Sequence, residues 1–308
     1  MKERKIFTNY ISKLPNIFNR YFNIGCKLTN FKCLDDTYTF VLGVMRTAQI
    51  LQKYQKKINL LEAACGSGLV ALHLLKKGLV NQVEGFDLDF QAVERSIGNA
   101  KKLNCEHQSH FFSGDLFNIQ GVLKNLKYSP HLLICNPPWI PIPKGLYTPR
   151  IIDGGINGTK FVPPIFKLAQ KIGAGMISLN TSSLSFIEKI WEQVRYFKLQ
   201  LIESIICFNY LGELTGRSEI KKHIKSLKYS FISTHKSSQD FIGTNQDLYL
   251  IINLILSSKE ISNNPISSNQ FYELLKNFQK YGLQISKIYY KDQRLHFYYF
   301  TGNFLKVK

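Results

Sequence analysis

Residues 136–139 form the part of the sequence whose residue types are most specific for a chemical role. Asn136, Pro137, Pro138 and Trp139 directly follow the apolar run Leu132–Cys135. The Asn136 side-chain oxygen and the Pro137 carbonyl can each accept one N–H of an NH2 group. The two prolines restrict the backbone of the turn, and Trp139 can stack on a flat group. This Asn-Pro-Pro-Trp corner therefore predicts a catalytic site that positions a planar nitrogen, such as an amide or a ring amine, for group transfer.

A loop of small residues precedes the corner in the chain and lies between an apolar strand and a helix. Its candidate ligand-binding residues are Glu62, Ala64, Cys65, Gly66 and Gly68. Glycines let the backbone approach a ligand closely, and a helix N-terminus presents unpaired N–H groups. A glycine loop alone also suits a structural turn, so its meaning depends on the residues that follow.

Two aspartates that follow the next predicted strands extend this pattern. Asp87 stands 25 residues after Glu62, near the spacing at which an acidic side chain meets a ribose diol in doubly wound folds. The alternative is a helix cap, for which Asp89 is the better candidate. Asp115 follows the third strand and could accept from the exocyclic amine of an adenine, although a single aspartate there is more often a turn residue.

Strands and helices alternate along most of the chain. The predicted strands are residues 59–64, 83–86, 110–113, 132–135, 176–179 and 201–208. The predicted helices are residues 38–54, 69–77, 90–103, 166–172 and 185–197. This alternation predicts an α/β fold with a doubly wound, mostly parallel, Rossmann-like sheet. Further on, we expect helices at 216–228 and 271–281 and an aromatic hairpin at 285–300, while 247–256 suits either a strand or a buried helix.

Three regions are expected from these patterns. Residues 1–34 alternate aromatic and basic side chains and predict a short N-terminal helical segment. Residues 35–210 carry the strand–helix alternation and form the predicted core domain. Residues 211–308 are expected to be a C-terminal α+β extension that completes or caps the substrate side.

The excess of basic residues indicates which kind of partner the protein could bind. Forty lysines and arginines against 21 aspartates and glutamates give a formal net charge of +19 at pH 7. This surplus favours an anionic partner such as RNA, DNA, a ribosome or an acidic protein face, although AT-rich coding bias produces a similar composition. The hydrophobic content of 44% is sufficient for a buried core and argues against global disorder.

Metal and membrane sites are not expected. The six cysteines include no CxxC pair, and the seven histidines show no ligand spacing, so no metal site is predicted. The apolar run Leu248–Leu256 is far shorter than the ~20 residues of a membrane span. The basic N-terminus lacks the continuous apolar region of a secretory signal. A cytoplasmic location with reduced thiols is therefore expected.

Taken in order, these motifs resemble the N5-glutamine methyltransferases of translation release factors, the HemK-like group of the NPPY-type amino-methyltransferases. The resemblance covers roughly residues 35–180, and it implies a class I methyltransferase fold with S-adenosylmethionine (SAM) as cofactor. Its most specific stretch is the Pro149–Gly158 segment, which is similar to a segment that follows the catalytic loop in glutamine methyltransferases. Two departures are Ala64 in place of a first glycine and Trp139 in place of the commoner tyrosine.

The resemblance also implies roles for individual residues. The SAM loop would comprise residues 61–68, with Asp87 on the ribose and Asp115 on the adenine. Thr37, in an Asp36-Thr37 pair similar to one that the family keeps near its active site, and Asn136 would complete the cofactor contacts. Asn136, Pro137, Pro138 and Trp139 would be catalytic.

Several acceptors fit this chemistry. The first is a protein glutamine, on a release factor or ribosomal protein, which the Pro149–Gly158 segment favours. The second is an adenine N6 or guanine N2 of RNA or DNA, because the same geometry serves a base flipped into the pocket, and the basic residues 217–228 favour it. A small-molecule acceptor and a SAM-binding scaffold without activity are further alternatives, the latter disfavoured by the intact corner.

Overall fold

A computed structural model describes residues 34–211, 217–235, 246–261, 265–281, 295–300 and 304–306. The predicted N-terminal segment lies outside these residues, apart from Leu34. Residues 285–294 of the predicted aromatic hairpin also lie outside them.

The described elements alternate as the sequence pattern predicts. The strands are β1 (Asn59–Ala63), β2 (Gln82–Asp87), β3 (Ser109–Ser113), β4 (Leu132–Cys135), β5 (Met176–Ser182), β6 (Gln200–Tyr210), β7 (Ser233–His235), β8 (Gln246–Ser257), β9 (Leu295–Phe300) and β10 (Phe304–Lys306). The helices are α1 (Leu34–Leu51), α2 (Leu69–Lys76), α3 (Phe90–Lys102), α4 (Ile119–Asn125), α5 (Val162–Ile172), α6 (Ile187–Tyr196), α7 (Ser218–Ser226) and α8 (Ser268–Tyr281).

The strands form one sheet in the order β10-β9-β6-β8-β5-β4-β1-β2-β3, and β7 pairs with β8 at the side. β1 to β5 run parallel to one another, whereas β8 is antiparallel to both β5 and β6. The chain moves outward from β1 to β3 and then returns to β4 on the other side of β1. The predicted doubly wound, mostly parallel sheet is confirmed, and its switch point lies between β1 and β4, where such folds bind ligands.

Helices cover both faces of the sheet. Helices α1, α2 and α3 pack on one face through a cluster that includes Phe40, Leu72 and Val93. Helices α5, α6 and α8 pack on the other through a cluster that includes Phe166 and Trp191. Because helices cover both faces, the central strands β4 and β5 are buried along their whole length rather than at alternate residues.

The ambiguous segment 247–256 is a strand. β8 lies between β5 and β6, with Asn180 of β5 opposite Asn253 of β8. A part of the chain beyond residue 210 therefore contributes an internal strand to the same sheet as β1 to β6. The division into regions at residue 210 stays a prediction.

Other element bounds differ from the predicted ones for local reasons. The first helix spans Leu34–Leu51 instead of 38–54, and α5 begins at Val162 instead of 166 because prolines are accommodated in a first helical turn. α4 was not predicted, since it has only seven residues and contains a glycine. Near the C-terminus, β9 pairs with β10 in the antiparallel direction, and the turn predicted at 291–294 lies outside the described residues.

Candidate functional site

The predicted site residues lie on loops at the carboxyl ends of the parallel strands. Ala63 at the end of β1 is level with Phe86 of β2 and with Cys135 of β4. Asp87 is level with Ser113 at the end of β3. The residues that follow these strands therefore share one edge of the sheet, although they come from distant parts of the chain.

The glycine loop, residues 64–68, has a left-handed backbone at three positions. The φ angles are +54° at Ala64, +55° at Gly66 and +69° at Gly68. Gly68 caps α2, and its N–H donates to the Cys65 carbonyl at 2.8 Å. A Cβ atom placed on Gly66 would meet nothing within 4 Å. The loop thus leaves open space beside its backbone, which is the condition for close approach of a ligand.

Glu62 is buried beneath this loop. It is 4% exposed, and its Oε2 accepts from the N–H of Ala71 in the first turn of α2 at 3.0 Å. Burial raises the pKa of Glu62 to about 8; the Ala71 N–H opposes this shift, and the negative charge of Asp87 adds to it. Glu62 therefore ties the end of β1 to α2, and a direct cofactor contact from it stays a prediction.

The three aspartates play different structural parts. Asp89 caps α3 by accepting from the Gln91 N–H at 2.9 Å, as expected. Asp87 accepts from the Gly66 N–H at 2.8 Å and from the Asp89 N–H at 2.9 Å, so it connects the glycine loop to β2. Asp115 is exposed and accepts from the Phe117 N–H at 2.9 Å, which is a turn contact. Asp87 is thus the acid that the fold places against the glycine loop.

The Asn-Pro-Pro-Trp corner follows β4. Asn136 is half-buried, whereas Pro137 is buried and Trp139 is 5% exposed. The Trp139 indole packs against Tyr249 of β8, with ring centroids 6.0 Å apart. Most of the indole surface is therefore already in contact with protein, and its stacking on an acceptor stays a prediction.

Asn136 is held by two residues from other elements. Its Nδ2 donates to both carboxylate oxygens of Asp36, at 3.2 Å each. Its Oδ1 accepts from the Asn180 Nδ2 at 3.2 Å. Thr37, the predicted cofactor contact in the first turn of α1, donates its hydroxyl to Asp36 at 3.2 Å. The structure thus brings Thr37 and Asn136 together through Asp36.

The Pro149–Gly158 segment packs directly on the backbone of the corner. The Gly154 N–H donates to the Ile140 carbonyl at 3.0 Å, and the Ile142 N–H donates to the Gly155 carbonyl at 2.9 Å. A Cβ atom on Gly154 would lie 2.7 Å from the carbonyl carbon of Trp139. A Cβ atom on Gly158 would lie 2.5 Å from the carbonyl oxygen of Trp139. These glycines allow the segment to brace the corner from outside the sheet.

Three residues of this site were not singled out from the sequence. Asn180 and Asn253 are fully buried on β5 and β8, and Asp36 had been considered only as the neighbour of Thr37. The available signal was a carboxamide inside an apolar strand, as in the run Leu248–Leu256 around Asn253. A buried amide requires hydrogen-bond partners and therefore indicates a polar network.

Comparison with known proteins shows what this arrangement is similar to. The methyltransferase small domain family matches residues 40–145, from α1 through the corner. The chain is also 24% identical over 221 residues to a release factor glutamine methyltransferase of Dictyoglomus turgidum, which covers 69% of this chain and 74% of that protein. The chain is a methyltransferase with the class I fold, and it is similar to the release factor enzyme. Its cofactor is SAM.

Two solved structures show partial similarity to this methyltransferase. One is a B. subtilis M1A22 tRNA methyltransferase, 8% identical, with a TM-score of 0.44, which covers 79% of this chain and 80% of its own. The other is a putative RNA methyltransferase from Pyrococcus horikoshii, 15% identical, with a TM-score of 0.41, which covers 70% and 83%.

The described residues contain neither a metal-binding cluster nor a membrane-spanning helix. They contain no group of three or more His, Cys, Asp and Glu side chains placed to hold a metal ion. Among these same residues, no helix is both long and apolar enough to cross a membrane.

Proposed function

We propose that this methyltransferase modifies a planar nitrogen, and that its acceptor is a glutamine side chain of a protein. One observation carries the proposal: the Asn136 amide has a defined orientation. An ionised carboxylate only accepts hydrogen bonds, so the Asn136 NH2 group faces Asp36 and its oxygen faces the opposite way. That oxygen accepts one hydrogen bond from Asn180 and retains a second lone pair, which can accept an N–H of the group that is methylated.

The residues at the carboxyl edge suit SAM. The open space beside Gly66, the N-terminus of α2 and the carboxylate of Asp87 are the features that a nucleoside with a ribose diol requires. We propose that Gly66, Gly68 and Asp87 hold the cofactor, with Asp115 and Thr37 at its margins. Bound SAM supplies an electrophilic methyl group.

The corner would then position the acceptor. The Asn136 Oδ1 and the Pro137 carbonyl accept the two N–H groups of the acceptor and leave its delocalised lone pair exposed on one side. Orientation of this kind can account for as much as about 7–11 kcal/mol of a barrier. No strong base is needed, because the nitrogen loses its proton after the new N–C bond forms.

Two features support glutamine as the acceptor. The relative from Dictyoglomus turgidum is named for a glutamine of release factors. The Pro149–Gly158 segment, which resembles one found in glutamine methyltransferases, braces the corner through Gly154 and Gly158. A translation factor as acceptor would agree with a cytoplasmic site of action.

A base amino group is the second candidate, and the position of α7 favours it. Arg217, before α7, donates to the Tyr147 carbonyl, and His223 contacts the Ile156 carbonyl, so this basic helix lies against the stretch that follows the corner. Lys222 on this helix and Lys228 just after it are exposed. Such side chains suit contacts with phosphates, and they would equally suit a protein acceptor that is bound to RNA.

Methylation of a lysate distinguishes these acceptors. A lysate from cells that lack this enzyme is incubated with tritiated SAM and the purified protein, and portions are then treated with protease or RNase. We expect the tritium in macromolecules to become soluble after protease treatment and to stay bound after RNase treatment. Hydrolysates of the labelled protein should contain N5-methylglutamine. Label that only RNase releases would favour the base acceptor, and label that passes a small-pore membrane without any digestion would indicate a small molecule.

A further inference from the structure

A row of buried polar side chains runs from the corner into the sheet. The Asn136 Oδ1 accepts from Asn180, the Asn180 Oδ1 accepts from the Asn253 Nδ2 at 3.3 Å, and the Asn253 Oδ1 accepts from the Ser178 hydroxyl at 3.0 Å. At its other end the row begins at the Asp36 carboxylate. We call Asp36, Asn136, Asn180, Asn253 and Ser178 the amide row.

Asp36 fixes the direction of every hydrogen bond in the row. Because an ionised carboxylate only accepts, Asn136 then presents its NH2 group to Asp36 and its oxygen to Asn180. Asn180 must therefore present its own NH2 group, whose second proton goes to the Asp36 backbone carbonyl at 3.2 Å. If the Asn136 amide were reversed, its oxygen would face the Asp36 carboxylate and its NH2 group would face the NH2 group of Asn180. Neither pair could form a hydrogen bond.

Burial prevents water from relaxing this arrangement. Asn180, Asn253 and Ser178 are each 0% exposed. A reversed amide would leave buried polar atoms without partners, and such atoms cannot recover their hydrogen bonds from solvent. The orientation of the half-exposed Asn136 is thus set by residues that no acceptor touches.

The fold assembles the row from four elements: α1, the corner after β4, β5 and β8. Asn180 and Asn253 are opposite each other on β5 and β8. Helix α1 crosses these strands and brings Asp36 to one end, while its Gly43 lies against the Asn253 side chain. A Cβ atom on Gly43 would be 1.9 Å from the Asn253 Oδ1, so only glycine leaves room for this amide.

We propose that Asn180 is a positioning residue for methyl transfer, which holds the Asn136 amide so that its oxygen faces the acceptor nitrogen. This inference rests on the proposed function, in which the Asn136 Oδ1 binds the acceptor. Asn180 has no contact with the acceptor itself. The N–H that Asn180 donates to the Asn136 Oδ1 excludes the reversed orientation of the Asn136 amide. It also leaves one lone pair of that oxygen for an N–H of the group that is methylated.

The variant Asn180→Asp tests this through pH. A protonated aspartic acid at 180 retains the shape of Asn180 and can donate to the Asn136 Oδ1, whereas an ionised one repels that oxygen. Burial favours the neutral form and raises the pKa of such a carboxyl group, in some cases to about 8–9. The rate of Asn180→Asp should therefore be close to wild type at low pH and should fall as pH rises through that raised pKa.

Other charged groups near position 180 do not produce this loss. Asp36 is present in both proteins, so the wild-type profile controls for it. Burial raises the pKa of the Cys135 thiol, next to Asn136, well above its usual value, so the thiol stays neutral. Arg46 of α1 is paired with Glu203 of β6 at 2.8 Å.

Rates are measured as tritium transfer from SAM to the same lysate, from about pH 6 to about pH 9, a range that spans the raised pKa of a buried carboxyl. We expect the ratio of Asn180→Asp to wild type to fall by at least about tenfold across this range. Asn180→Leu, which cannot donate, should be slow at every pH. The matched control is Ser204→Ala, because Ser204 is buried and donates to the Asn253 backbone carbonyl outside the row.

A second measurement does not depend on any acceptor. The side-chain amide resonance of Asn136, assigned through its loss in Asn136→Ala, should shift more with pH in Asn180→Asp than in wild type and Ser204→Ala, which share the titration of Glu62. A wild-type pH profile for Asn180→Asp together with a wild-type rate for Asn180→Leu would overturn the proposal. An Asn136→Ala variant with normal turnover would instead refute the proposed role of Asn136, so the two failures are distinguishable.

Discussion

The two halves of the proposed site, the cofactor side and the acceptor side, are built in different ways. On the cofactor side, Gly66 meets Asp87 across 21 residues of chain and Glu62 meets Ala71 across nine. On the acceptor side, Asn136 meets Asp36 across 100 residues, and Asn180 meets Asn253 across 73. The cofactor side is therefore a property of one β–α–β unit, whereas the acceptor side exists only when α1, β4, β5 and β8 have assembled.

This difference predicts separable defects. Changes in the glycine loop or Asp87 should reduce SAM affinity, because those residues surround the open space beside Gly66. Changes at Asn180 or Asn253 should reduce the rate of transfer and leave SAM affinity intact, because these residues are proposed to act on the acceptor through Asn136. Variants that affect both quantities equally would contradict the division.

The largest effect is expected for Asn136→Ala. Loss of the side-chain oxygen removes a contact to the acceptor nitrogen, and we expect transfer to fall by at least about 100-fold, since small misplacements at a reacting centre have effects of this size. SAM binding, measured by calorimetry, should persist. Near-normal turnover in this variant would mean that the corner does not position the acceptor.

Asp87→Ala should produce the opposite defect. The carboxylate accepts two backbone N–H groups and is proposed to bind the ribose. Its removal should weaken SAM by about 1–3 kcal/mol, the size of a hydrogen bond to a charged group. At saturating SAM, the rate should recover most of its wild-type value. Unchanged affinity in calorimetry would exclude Asp87 from the cofactor site.

Gly43→Ala probes the far end of the acceptor side. The added methyl group overlaps the Asn253 amide, so we expect a loss of about 1–3 kcal/mol in the free energy of unfolding, as for other overpacked cores. Transfer should slow while SAM affinity stays constant. The control is Gly98→Ala in α3, where a Cβ meets nothing within 4 Å and where alanine should stabilise the helix by up to about 1 kcal/mol.

Glu62 gives the cofactor side a pH dependence. Its pKa in the folded protein is raised from 4.5 to about 8, so folding favours the protonated form. The resulting contribution to stability is complete below the ordinary pKa and is lost as pH rises through the folded value. Urea denaturation of wild type should show falling stability from about pH 5 to about pH 8.

Glu62→Gln should remove most of that slope, because glutamine retains an acceptor for the Ala71 N–H and does not ionise. Glu94→Gln is the matched control, since Glu94 is exposed on α3 and should leave the slope unchanged. An identical slope in wild type and Glu62→Gln would show that Glu62 is not the group responsible.

Sequence patterns were sufficient for the cofactor side because its contacts are local. Each of the strands from β1 to β5 contains a short run of apolar or aromatic residues, and the glycine loop and Asp87 have a spacing that follows from one β–α–β unit. Asp89 was correctly separated from Asp87 as the helix cap. The corner was also recognisable, since its four residues are consecutive.

The contacts of the acceptor side could not be predicted from the sequence. The run around Asn253 is compatible with a strand or a buried helix, and periodicity does not decide between them for short apolar segments. The residue that donates to the Asn180 Oδ1 is Asn253 of β8, which lies 73 residues further along the chain. Asp36 is 100 residues from Asn136, so nothing in the sequence alone shows that they meet. Trp139 was expected to face the acceptor, yet its burial depends on Tyr249 of β8.

The smallest effect is expected at Ala64, where the cofactor loop departs from the family pattern. Ala64 has a φ of +54°, and a left-handed backbone disfavours a residue with a Cβ by about 1–2 kcal/mol. Glycine relieves this strain but loses about 0.5–1 kcal/mol through the entropy of the unfolded chain. Ala64→Gly should therefore stabilise the protein by at most about 1 kcal/mol in urea denaturation.

The reverse substitution gives the matched comparison. Gly66 has nearly the same φ and open space around it, so Gly66→Ala should introduce the strain that Ala64→Gly removes, without a steric clash in the free protein. Both variants should leave the amide row unchanged, and the pH profile of transfer at saturating SAM should match wild type. A changed profile would mean that the two halves are coupled through the glycine loop.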